Sequence, residues 1–71
     1  MNEFSERLKE LRLGCALTQK GLAENIGMHE RGIQSYELAD REPTLGKLIK
    51  LADFFNVSLD YLVGRSDDPK Y

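Results

Sequence analysis

Apolar residues along this 71-residue chain recur three and four positions apart and almost never alternate. That spacing puts them on one face of a helix and leaves no run suited to a half-buried strand. Read with its start and stop signals, the pattern predicts five helices. The first runs from about Glu3 to Leu13 on a Phe4, Leu8, Leu11 stripe, with Asn2 as its cap and Gly14 in the left-handed position beyond its end. Thr18 caps a second, Gln19 to about Ile26, whose Leu22, Ala23 and Ile26 face inward and which Gly27 stops. Met28 and His29 turn the chain into a third, Glu30 to about Leu38, and Pro43 disfavours helical geometry at Glu42 beyond it. Thr44 caps a fourth, Leu45 to about Phe55, built on Leu45, Leu48, Leu51, Ala52 and Phe55. Ser58 caps the last, Leu59 to Val63, which Gly64 closes. The expected architecture is an all-α, compact five-helix bundle over residues 1–64, followed by a short polar C-terminal tail, 65–71, that frays.

Size and composition remove most functional classes. The chain is one small domain, too short for a dinucleotide-binding unit or a barrel. A single core of this size leaves about 3–5 kcal/mol of net stability, so a staple or a partner subunit is expected. The single cysteine, Cys15, cannot form an internal disulfide, and His29 is the only other soft ligand, so no metal site and no cofactor are implied. Cys15 reads simply as a small, partly buried side chain. His29 has no nucleophile or carboxylate partner, and no catalytic constellation occurs, so an enzyme is disfavoured. No stretch approaches the ~18 apolar residues of a membrane span, and the N-terminus has no apolar leader, which points to a cytoplasmic protein.

The formal charge of −2 argues against nucleic acid until it is mapped. Residues 1–28 carry four charges of each sign, as do residues 29–50. The acidic excess therefore lies in residues 51–71, in Asp53, Asp60, Asp67 and Asp68, and removing the Asp67-Asp68 tail is expected to tighten any binding to a polyanion.

The two middle helices, joined by Gly27-Met28-His29, form a corner whose second helix can project into a DNA major groove. The run LTQKGLAENIGMHERGIQSYELADREPTLGKLIKLADFFNVSLDYLVG, residues 17–64, strengthens that signal. Leu17-Thr18-Gln19, Leu22-Ala23, Ile26-Gly27, Ile33, Tyr36-Glu37, Arg41, Pro43, Leu48, Leu51-Ala52, Val57-Ser58 and Asp60-Tyr61-Leu62 stand at a recurrent spacing, extended into the first helix by Arg7-Leu8-Lys9 and Leu11-Arg12. In these residues the chain resembles the phage-repressor and Cro-like helix-turn-helix regulators, the xenobiotic-response-element family. The resemblance implies that family's lambda-repressor-like five-helix fold, sequence-specific binding of double-stranded DNA, and action as a homodimer on a palindromic operator, in a bacterial or phage-encoded, nucleoid-associated protein. Three positions depart from the pattern: His29 stands where a Ser or Thr cap is usual, Gly32 lies in the first turn of the third helix, and Ala39 stands where Gly usually ends it.

At about 100° per residue, with Ile33 at zero, Glu37 lies at about 40° and Tyr36 at about −60°, while Gln34, Leu38, Arg31 and Ser35 fall between about 100° and 200°. Glu30, at about 60°, sits at the end that the motif points into the groove. Arg31 is the first candidate base reader, because its planar fork can bond guanine O6 and N7 together; the plainer alternatives are a phosphate contact or a solvated group. Gln34 and Ser35 can meet base edges or phosphates, and Glu30 can accept from cytosine N4 or select against other bases. Leu38 can meet a thymine methyl or merely be exposed. By resemblance, Gln19 and the amides at the start of the second helix hold a phosphate. Lys20, His29 and Arg41 are further candidates there, or solvated groups. Arg12 and Glu37 occupy the family's inward-facing positions, which implies a structural ion pair joining the first and third helices.

Leu59, Tyr61, Leu62 and Val63 cannot all point inward from one short helix. A two-fold interface containing Leu59, with Leu62, is expected, setting two recognition helices about 34 Å apart; the plainer alternative is a fifth helix that closes the core, with Tyr61 and Leu62 doing only that. The function expected is a transcriptional repressor whose partner is duplex DNA, with no membrane role. The alternative is an antitoxin-like interaction module that binds a partner protein and autoregulates its own promoter.

Overall fold

Three hydroxyls decide where helices begin. Thr18 Oγ1 accepts from the Gly21 N–H at 2.9 Å, Thr44 Oγ1 from Lys47 at 3.3 Å, and Ser58 Oγ from Tyr61 at 3.0 Å. Each satisfies an amide that the first turn cannot pair internally. A computed structural model of the chain describes residues 2–70. These residues form α1 (Asn2–Gly14), α2 (Gln19–Ile26), α3 (Glu30–Glu37), α4 (Leu45–Phe55) and α5 (Leu59–Leu62), and no strand occurs among them. The side chain of Asn2, expected to cap the first helix, lies outside the described residues.

Helix ends follow the left-handed positions, and three differ from expectation, α5 by stopping at Leu62, one residue short of Val63. Gly27 (φ 70°) and Gly64 (φ 85°) turn the chain after α2 and α5. Gly64 also lets α5 close on α1, because a Cβ there would stand 2.5 Å from Glu3 Cβ. Gly14 instead remains the last residue of α1, and Ala16 (φ 57°) takes the left-handed conformation. α3 stops at Glu37, one residue short of Leu38, and Ala39 (φ 62°) makes the turn.

The core forms where the apolar faces converge. Phe4, Leu8, Leu22, Ile33, Leu51 and Leu62 are fully buried, each contributing about 1.5–3 kcal/mol relative to exposure. α3 packs between α1 and α2, while α5 rests on α4 and α1. Phe4 meets Tyr36 edge to face at 5.9 Å between ring centroids, and the Ser5 hydroxyl donates to the Tyr36 carbonyl, fixing α1 against α3. Four expectations are corrected here. Leu45, expected inward, is 65% exposed because it begins α4 beyond the edge of the core. Cys15 is exposed, not partly buried. Leu62 lies wholly inside the chain, which removes it from any interface with a second subunit. Residues 65–70 of the tail are held rather than frayed: the Ser58 N–H donates to the Pro69 carbonyl at 2.9 Å, and Asp67 lies 3.7 Å from an Arg7 guanidinium that covers the Tyr61 ring at 3.9 Å.

Candidate nucleic-acid interface

α3 divides sharply around its axis. Ile33 and Tyr36 are buried, whereas Glu30, Arg31, Gln34 and Leu38 are exposed and Ser35 is half-buried at the boundary. The side chains of Arg31, Gln34 and Ser35 make no hydrogen bond or ion pair among the described residues. Eight residues at about 1.5 Å of rise give α3 a length of roughly 12 Å, comparable to the width of a major groove.

Beneath that face a charged cluster locks the helix in place. Arg12 Nε donates to Glu37 Oε2 at 2.6 Å and Nη2 to Oε1 at 3.1 Å, while Nη1 reaches the Leu17 carbonyl at 2.8 Å. The side chains are 9% and 5% exposed, so the pair is shielded from water. The hydrogen bond to Glu37, supported by its charge, raises the Arg12 guanidinium above its ordinary value against the lowering effect of burial. Gln19 joins the same carboxylate, donating Nε2 to Glu37 Oε1 at 3.1 Å. Three segments of the chain thus meet on one side chain of α3.

His29, Glu30, Arg31, Gln34, Ser35 and Arg41 border one open concavity of about 690 Å³ that runs along α3 from its N-terminus as far as Tyr36. His29 begins the helix with extended backbone and no side-chain cap, leaving the first amides of α3 without a hydroxyl acceptor from that position. Tyr36 forms part of the floor; burial raises its phenol above the ordinary value, and the charge of Arg41 pulls it partly back. Gln19 and Lys20 are not brought to this concavity. They start α2, near the opposite end of α3, where Gln19 is tied to Glu37. Arg12 and Glu37 lie below the exposed face of α3, and Leu59, 37% exposed, lies on α5.

Two bordering residues escaped the sequence reading. Lys47 reaches the concavity from the first turn of α4. A cation in a first turn opposes the helix dipole, and that mismatch was the available signal. Met28, from the turn before α3, also lines it. Its position carried no signal, since a methionine between two helices ordinarily reads as core.

A family model described as helix-turn-helix matches residues 8–62. The chain is 41% identical over 66 residues to the uncharacterized HTH-type transcriptional regulator YobD of Bacillus subtilis, covering 93% of this chain and 59% of that protein. It is 38% identical over 67 residues to the HTH-type transcriptional regulator ImmR of the same organism, covering 94% of this chain and 53% of that one. Over 63 residues it is 35% identical to the cryptic phage CTXphi transcriptional repressor RstR of Vibrio cholerae, covering 89% and 56%. The chain thus spans a little over half the length of these relatives.

Proposed function

Because the chain belongs to the helix-turn-helix family, we propose that it is a sequence-specific, double-stranded DNA-binding transcriptional regulator, a nucleoid-associated repressor acting as a homodimer on a palindromic operator. The observation that carries this reading is the outer face of α3, where Arg31 and Gln34 are exposed and unengaged on a helix anchored by Ile33, Tyr36 and Glu37. Glu30, Arg31, Gln34 and Ser35 are assigned to base edges. Gln19, Lys20, His29 and Arg41 are assigned to phosphates, and Lys47 joins them. Four groups that are or can be cationic border the concavity against one carboxylate, Glu30, so attraction to any duplex is modest and base contacts matter more. Residues 1–64 act as the DNA-binding domain and 65–71 as its appended tail.

The second subunit is assigned to the α4–α5 face. There Leu59 and Ile49, 37% and 41% exposed, border a shallow groove. Leu59→Glu is expected to leave the circular dichroism spectrum unchanged and shift the sedimentation coefficient toward that of one protomer. An unchanged coefficient places the interface elsewhere.

Selection from a random duplex pool at two salt concentrations tests the DNA reading. A recovered palindrome whose half-site preference relaxes in Arg31→Ala supports it; a steep salt slope with no preferred sequence overturns it. A reporter placed behind the recovered site then separates repression from activation.

A further inference from the structure

Gly32 stands in the first turn of α3, a position where glycine disfavours the helix. A Cβ built there would lie 3.3 Å from Met28 Cε, so the missing side chain is replaced by a methyl group arriving from the preceding turn. Met28 is half-buried, packed against the core, and it also lines the concavity that Arg31 and Gln34 border. Apart from Gly32 and Tyr36, the other residues lining that concavity are polar or charged. Tyr36 is also present, but at 3% exposure it offers little surface. The outcome is an apolar, polarisable spot beside the first candidate base reader, at the helix end that enters a groove first.

The chemistry that fits such a spot is narrow. Along the major-groove edges of the four bases, the one apolar group is the C5-methyl of thymine. We infer that Met28, seated in the space Gly32 leaves open, is a specificity-determining residue that reads a thymine methyl beside the base pair contacted by Arg31. This inference rests on the DNA-binding reading above. It moves apolar readout from Leu38, 70% exposed at the C-terminal end of α3, to the N-terminal end.

The test takes the duplex recovered by selection and replaces its thymines one at a time with uracil, which lacks only the methyl group. Binding is followed by fluorescence anisotropy for the wild-type chain, Met28→Ala, Met28→Gln and Leu38→Ala. Circular dichroism establishes that each variant is folded. Met28→Gln keeps the length of the side chain and serves where truncation disturbs packing. The wild type is expected to lose about fourfold in affinity at one thymine per half-site, the equivalent of one buried methyl. That thymine adjoins the pair whose preference relaxes in Arg31→Ala. Met28→Ala and Met28→Gln bind the thymine and uracil duplexes alike, and Leu38→Ala keeps the discrimination. Equal wild-type affinity for every uracil duplex, or an unchanged ratio in both Met28 variants, overturns the inference while leaving DNA binding intact. Failure to recover any preferred duplex overturns the DNA reading and this inference together.

Discussion

Glu37 accepts from Arg12 twice and from Gln19 once, so one carboxylate serves α1, α2 and α3. Glu37→Ala strands a shielded guanidinium with the Leu17 carbonyl as its remaining partner. Breaking a buried pair in this way costs about 3–5 kcal/mol. In a domain of this size each kcal/mol shifts Tm by about 4–8 °C, so a fall beyond about 10 °C is expected. Arg31→Ala should move Tm by little more than about 0.5 kcal/mol is worth, as for other surface substitutions. Thermal denaturation giving the reverse order would remove Glu37 from its structural role. Tyr36 supplies a pH dependence. Burial holds its phenol above the ordinary value of 10.0, so the unfolded chain ionises first as pH rises. Its stabilisation is complete below about pH 10 and is lost as pH climbs through the folded-state value. Urea midpoints for the wild type should therefore fall more steeply above pH 10 than those of Tyr36→Phe; parallel curves would show that Tyr36 ionisation is not coupled to folding. The inward direction of Glu37 follows from its helical angle. The bond from Gln19 does not, because it depends on the path of residues 15–18 between two helices.

Helix starts were legible because a cap is local: Thr18, Thr44 and Ser58 each bond an amide three residues on. Ends were less so. Ala16 and Ala39 adopt left-handed geometry that disfavours a Cβ; nothing in the sequence announces it at Ala16, and at Ala39 only the family resemblance does, by the glycine usual there. That strain gives a direct prediction. Ala39→Gly should stabilise the domain by about 1 kcal/mol, raising Tm by about 4–8 °C. A lowered Tm would mean that the greater freedom of glycine in the unfolded chain outweighs the relief. Periodicity also gives the direction of a side chain without its depth along the axis. Leu45 shares a face with Ala52, yet one is 65% exposed and the other 3%.

The Cα frame measures 27 × 22 × 21 Å, less than the roughly 34 Å between successive major grooves on one side of a duplex. One protomer is too small to reach two successive grooves, so the palindromic site proposed above calls for two. Composition points to a partner subunit through the small core, and the proposed surface for it keeps Leu59 and loses Leu62, because the two leucines differ only in what covers them. The tail was misread for a similar reason. Its attachment uses the Pro69 carbonyl and the Ser58 amide, backbone groups that every sequence possesses. Because Asp67 rests against Arg7, deleting the tail would disturb both packing and charge, so the electrostatic effect is better isolated by Asp67→Asn with Asp68→Asn. Tighter duplex binding at low salt is expected, vanishing as salt rises; equal affinity at both salts would place these carboxylates beyond screening range of the DNA. Finally, the side chains of Arg31 and Gln34 make no hydrogen bond or ion pair among the described residues, while Glu37, on the same helix, ties it to Arg12 and Gln19. Substitutions on the outer face can therefore accumulate without crossing the stability threshold that purges most mutations, so, on the DNA-binding reading proposed above, a change of preferred site need not cost the fold.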